Sequence, residues 1–125
     1  VKVAQNHKKG EQAIIINISK NTVVTNTEEI ANTFLKRLKG LLGRSSLPDQ
    51  TGMLIYPCNQ IHSFFMKFPF DAVFLTRDNQ VIFFMEKIQP GKISPLISKA
   101  FSVLELPAGT IQERGIQYGD TLRLE

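Results

Sequence analysis

Cys58, His62 and Met66 stand four residues apart within the apolar run C-N-Q-I-H-S-F-F-M-K-F-P-F-D-A-V-F-L. A thiolate, an imidazole and a thioether together suit a soft cation, Cu(I) above all. On a strand all three would face one side, because side chains alternate with period two. Two features weigh against a metal centre. Pro57 and Asn59 are turn residues that would place Cys58 ahead of the strand. A blue-copper set also wants a second histidine, and the only other one is His7. Cys58 and His62 could also make a nucleophile and its base, but only if they lay within hydrogen-bond reach. No cysteine-enzyme signature surrounds them. A satisfied histidine beside an inert buried thiol is the plainer reading.

Three acids fall in or beside apolar stretches: Asp71 after Phe68-Pro69-Phe70, Glu105 within Val103-Leu104-Glu105-Leu106, and Asp120 after Gly119. A buried carboxylate is costly unless hydrogen-bonded or paired. Asp71 and Glu105 could form a hydrolase-type acid–base pair. They could equally be strand-end anchors, the reading favoured for Asp120. As an anchor, Asp71 would take backbone amides at the Pro69 turn or pair with Lys67.

Five of the nine phenylalanines lie in this same run. Phe64, Phe65, Phe68, Phe70 and Phe74, with Phe83 and Phe84, read mostly as core. Ile61–Met66 is apolar on both alternating faces, which predicts a strand covered on both sides. Any aromatic area left exposed would form a binding patch.

These residues must be positioned by a mainly β framework. Ala13–Ser19 and Thr22–Thr25 read as a hairpin around Lys20-Asn21. Thr25-Asn26-Thr27-Glu28 fits a capping box. Ile30, Phe34, Leu38 and Leu41 follow at helical spacing, with Gly40 or Gly43 as the stop. Strands are predicted at 53–56, 61–66, 71–76, 81–88, 101–106 and 121–124, with a turn at Asp78-Asn79. Thr110-Ile111-Gln112-Glu113 is a second capping box, closed by Gly115.

The ordered set of motifs resembles domain-of-unknown-function family 192. The helix end Arg37-Leu38-Lys39-Gly40-Leu41-Leu42 is similar to its R-x-x-G-L-M pattern, with Leu42 where Met is commoner. Gly52-Met53-Leu54-Ile55, Phe64-Phe65-Met66-Lys67, Phe70-Asp71-Ala72-Val73-Phe74-Leu75, Leu104-Glu105-Leu106-Pro107-Ala108-Gly109 and Gly119-Asp120 follow in order. The resemblance covers about residues 28–124. It implies a compact, jelly-roll-like, mostly β domain and brings no family-wide activity or cofactor. The C-x-x-I-H element belongs to a subset of that family.

Composition sets the outer bounds. The chain has 125 residues, enough for one domain that folds without metal or disulfide. Residues 1–12 are polar and read as a frayed N-terminal segment, leaving 13–125 as the globular domain. The single cysteine favours a reducing, cytoplasmic compartment, with an exported protein whose leader was removed as the alternative. No apolar run is long enough to span a membrane. Residues 1–49 hold eight Lys/Arg and four Asp/Glu, and residues 50–125 hold seven of each. The net charge of +4 therefore comes from the first part, at the start of the chain and around Lys36, Arg37, Lys39 and Arg44. No aromatic residues interleave with those charges, so strong nucleic-acid binding is not expected.

The combined expectation is a mostly β (α+β) sandwich or barrel carrying one helix from the N-terminal half, and a monomer. Its expected role is non-enzymatic binding of a small ligand or partner in an aromatic-lined hollow at His62, Phe64, Met66, Asp71 and Glu105. A Cu(I) protein built on Cys58, His62 and Met66, and a hydrolase-type enzyme using Asp71 and Glu105, are the alternatives.

Overall fold

Alternating apolar residues build two sheets that bury one core between them. The structure, a computed structural model, describes residues 14–25, 27–31, 47 and 51–124. The expected frayed segment 1–12, residues 32–46 of the expected helix and the basic cluster at Lys36–Arg44 lie outside the described residues.

Strands β1 (Ile15–Asn17), β2 (Thr22–Thr25) and β8 (Leu122–Leu124) form a three-stranded sheet in the order β2-β1-β8. Strands β3 (Thr27–Ala31), β4 (Thr51–Ile55), β5 (Phe70–Leu75), β6 (Val81–Ile88) and β7 (Ser102–Pro107) form a five-stranded sheet in the order β3-β4-β7-β5-β6. One short helix, α1 (Thr110–Arg114), follows β7. All pairings are antiparallel except β3 with β4. The fold is mostly β and of the sandwich type. Among the described residues the sheets do not close into a barrel.

The period-two pattern accounts for two apolar clusters, one on each side of the five-stranded sheet. Leu54, Val73, Leu75, Leu104 and Leu106 face the smaller sheet and meet Ile15, Val24 and Leu122, with Ile111 and Ile116 closing one end. Met53, Ile55, Ala72, Phe74 and Val103 face the other way. There they meet Ile61, Met66 and Ile97, from the long connections before β5 and after β6. Interior strand β5, between β7 and β6, is buried at every position, as expected of a strand covered on both faces. Gly52 is needed where β4 approaches β7: a Cβ there would lie 2.9 Å from the Glu105 carbonyl oxygen.

Three sequence expectations are corrected. Thr25–Glu28 does not start a helix, because Thr27–Ala31 pairs in parallel with β4, Thr27 opposite Thr51 and Ala31 opposite Ile55. Sheet pairing overrides a local capping pattern, and Thr and Ile accept the extended form readily. Residues 61–66 are not a strand; they hold a single bridge, His62 to Ile93. The helix at 110–114 is present and Gly115 closes it at φ 67°, but the capping box is not used. Gly109 is the N-cap, and the Thr110 hydroxyl donates to the Pro107 carbonyl at 2.7 Å.

The two hairpin turns fall where expected. Asn21 and Asn79 occupy the left-handed region at φ 57° and 61°, which asparagine tolerates better than most residues. The Thr76 hydroxyl accepts from the backbone N–H groups of Asp78 and Gln80, holding the β5–β6 turn.

Candidate recognition site

Two long connections zip together and lie over the outer apolar cluster. Backbone N–H groups of Cys58, Ser63, Ser94 and Ile97 donate to the carbonyls of Phe101, Lys92, Ile61 and Asn59, at 2.8–2.9 Å. The Ser63 hydroxyl donates to the Gln89 carbonyl at 2.6 Å and accepts from the Lys92 N–H at 2.8 Å. The Ser94 hydroxyl accepts from the Ile61 N–H at 2.9 Å. Buried Ser63 and Ser94 thus satisfy a backbone that no regular strand serves.

This ribbon has an inner and an outer side. Ile61, Met66 and Ile97 pack inward. His62, Phe64 and Ile93 lie outward, Phe64 and Ile93 being 43% and 61% exposed. The His62 and Phe64 rings stack with centroids 5.2 Å apart, and the Phe64 N–H donates to His62 Nδ1 at 3.2 Å. Phe65 forms the tip, 87% exposed, with its backbone at φ 65°. Leu96, on the facing connection, is 60% exposed. The result is an exposed aromatic ridge.

A shallow dimple beside the ridge is lined by Ile61, His62, Ser63, Met85, Ile88, Lys92 and Ser94, and is too shallow to enclose even a water molecule. It borders His62 but does not reach Met66, Asp71 or Glu105. Among the described residues, this dimple is not the aromatic-lined hollow expected from the sequence. Of its five expected residues, the structure brings together His62 and Phe64. Met66 is buried beneath them in the core.

The soft-metal set loses its geometric premise. Without a strand at 61–66, Cys58, His62 and Met66 share no common parity. The Cys58 thiol donates to the Gln60 carbonyl at 3.3 Å, His62 Nδ1 accepts from Phe64, and Met66 is core. Among the described residues, no three His, Cys, Asp or Glu side chains gather into a metal-sized cluster.

The acids separate as well. Asp71 lies opposite Leu106 and Glu105 opposite Ala72, so their side chains leave opposite faces of one sheet. Asp71 is fully buried on the inter-sheet side. Its Oδ1 accepts from the Lys87 N–H at 2.8 Å, and its Oδ2 accepts from the N–H groups of Gly109 (3.1 Å) and Ile111 (2.9 Å). It supplies the cap that Gly109 cannot, and it holds the β6 bulge where Lys87 sits at φ 52°. Asp71 is thus an anchor, with partners other than the Pro69 turn or Lys67.

Glu105 is buried among Met53 and Ala72 on the outer side. Burial pushes its carboxyl up to about 8, so the neutral acid prevails at pH 7. Asp120 is the opposite case. Burial raises it, but hydrogen bonds from Lys20, Asn17 and the Gln117 N–H outweigh burial and hold it below the usual range. Lys20 Nζ lies 2.7 Å from Asp120, and Asn17 Nδ2 lies 2.8 Å away. This network ties the β1–β2 turn to the start of β8, the anchoring role favoured from the sequence.

Sequence reasoning placed Phe64 in the site but left Phe65 in the core, and it passed over Ile93 and Leu96. The available signal was two large aliphatic residues inside the Pro- and Gly-rich stretch Pro90-Gly91-Lys92-Ile93-Ser94-Pro95-Leu96.

With this geometry in place, comparison with known proteins fixes the lineage. The model of domain-of-unknown-function family 192, described as "Uncharacterized ACR", matches residues 14–124. The chain belongs to this family. A UPF0127 protein of Thermococcus sibiricus is 28% identical over 120 residues, covering 90% of this chain and 75% of the relative. A crystal structure of a protein of unknown function from Novosphingobium aromaticivorans matches with a TM-score of 0.77 at 24% identity, covering 90% of this chain and 83% of that one. A second, from Sinorhizobium meliloti and described as a candidate transcription regulator, matches with a TM-score of 0.77 at 25% identity, covering 95% and 98%. The fold is therefore shared with the two solved structures, and a fold by itself carries no activity. No helix of the described residues is long and apolar enough to cross a membrane.

Proposed function

We propose that this DUF192 chain is a non-enzymatic binding module that engages its partner through the ridge of His62, Phe64 and Phe65, flanked by Ile93 and Leu96. The observation that carries this reading is Phe65. A bulky side chain at φ 65° is a backbone outlier that costs on the order of 1–3 kcal/mol. Its ring, 87% exposed, returns almost no burial to offset that cost. Strain kept at an exposed aromatic, beside a second exposed aromatic stacked on histidine, is what a recognition surface requires and what a core does not. The shallow dimple supports a partner that meets the ridge from outside over a small ligand enclosed in a hollow. The separation of Asp71 from Glu105 argues against acid–base hydrolysis.

Photo-crosslinking tests this. A benzophenone amino acid placed at position 65 in living cells should form a discrete adduct. The same residue placed at 118, on the exposed Tyr118 position, should not give that adduct. Equal adducts at both positions, or no adduct to either protein or lipid at position 65, would count against the ridge as a binding surface.

A further inference from the structure

The charge around the ridge is one-sided. Residues 57–70 and 87–100, which make the ribbon and its flanks, contain Lys67, Lys87, Lys92 and Lys99 and no Asp or Glu. All four lysines are exposed, and no described carboxylate pairs with any of them. Glu86 precedes the second stretch and is outnumbered four to one.

We infer that the ridge docks on anionic phospholipid bilayers, with Phe64 and Phe65 entering the headgroup boundary while Lys67 and Lys92 meet lipid phosphates. This rests on the binding-module reading and names the partner. Three observations support a lipid surface over a protein. Phe65 is 87% exposed, and the dimple beside the ridge is too shallow to take a ring. A bilayer interface accepts such a ring with no preformed pocket, whereas a protein must supply one. The cations are all lysine. Protein interfaces are enriched in arginine and depleted of lysine, while lysine packs its stem on apolar surface and sends its ammonium to the phosphates. Aromatic tip and basic flank also act together, because neither a few apolar side chains nor a few charges alone give stable attachment.

Sedimentation with vesicles decides it. The full chain should bind phosphatidylcholine vesicles containing about 30% phosphatidylglycerol at least tenfold more tightly than phosphatidylcholine alone. Binding should fall as salt rises from about 0.05 to 0.5 M. Phe65→Ser should weaken it about tenfold or more. Lys67→Ala and Lys92→Ala should each weaken it about fivefold. Melting curves of the three variants should match wild type, since each side chain is exposed. Equal binding to both vesicle types, or wild-type affinity in a folded Phe65→Ser variant, overturns the inference. Failure on vesicles with a discrete protein adduct from position 65 in cells overturns the lipid partner and leaves the binding module standing. Failure of both overturns both.

Discussion

Asp71 and Glu105 sit on neighbouring strands, one residue out of register, and point to opposite sides of the same sheet. The first is saturated by three backbone donors from two other elements. The second meets an apolar cluster and keeps its proton near neutrality. Two acids that look like a pair in the sequence are thus separated by a sheet, and each has its own energetic consequence.

Replacing Asp71 with Ala strands the N–H groups of Lys87, Gly109 and Ile111, and loosens both the β6 bulge and the start of α1. The expected loss is about 1–3 kcal/mol, the cost of unsatisfied buried donors. Urea unfolding reads it directly, and an unchanged midpoint would refute the anchoring role.

Glu105 makes stability depend on pH. Its folded value of about 8 lies above the ordinary 4.5 of the unfolded chain, so between those values the folded state binds the extra proton. Stability from this group is full below about pH 4.5, declines as pH rises, and levels off above about pH 8. Glu105→Gln, which cannot ionise, should gain on wild type across that window, by on the order of 2–4 kcal/mol at pH 8. Parallel stability curves for the two proteins from pH 5 to pH 8 would contradict this account.

Asp120 has the reverse sign. Its folded value is lowered, so its contribution is present above the ordinary value of 3.8 and disappears as pH falls through the folded value. Lys20, 32% exposed, is only partly shielded from solvent. A double-mutant cycle of Lys20→Met with Asp120→Asn should give a coupling of about 1 kcal/mol at neutral pH, shrinking in acid. Strictly additive effects at neutral pH would mean that the ion pair is not what joins the β1–β2 turn to β8.

Much of the framework was legible because its signals are local. The β5–β6 hairpin follows from Asp78-Asn79 between two apolar runs, and β2 from Thr-Val-Val-Thr after a turn. The strand β3 was not legible: Thr-x-x-Glu reads as a helix start, and only the distant edge of β4 makes it a strand. The partners of Asp71 lie 16, 38 and 40 residues away, beyond any local pattern. The aromatic ridge was half legible. Residue types placed His62 and Phe64 together, but phenylalanine reads as core by default. Only the backbone turn at Phe65 reverses that expectation.

The measurement that bears most directly on the recognition ridge is the stability of Phe65→Gly. If Phe65 is held at φ 65° for a partner and not for the fold, glycine relieves the strain and removes almost no packing. The urea midpoint should then rise, by about 1 kcal/mol in stability, while attachment through the ridge is lost. A midpoint lowered by a comparable amount would mean that the ring serves the fold, and the binding module would lose the observation that carries it.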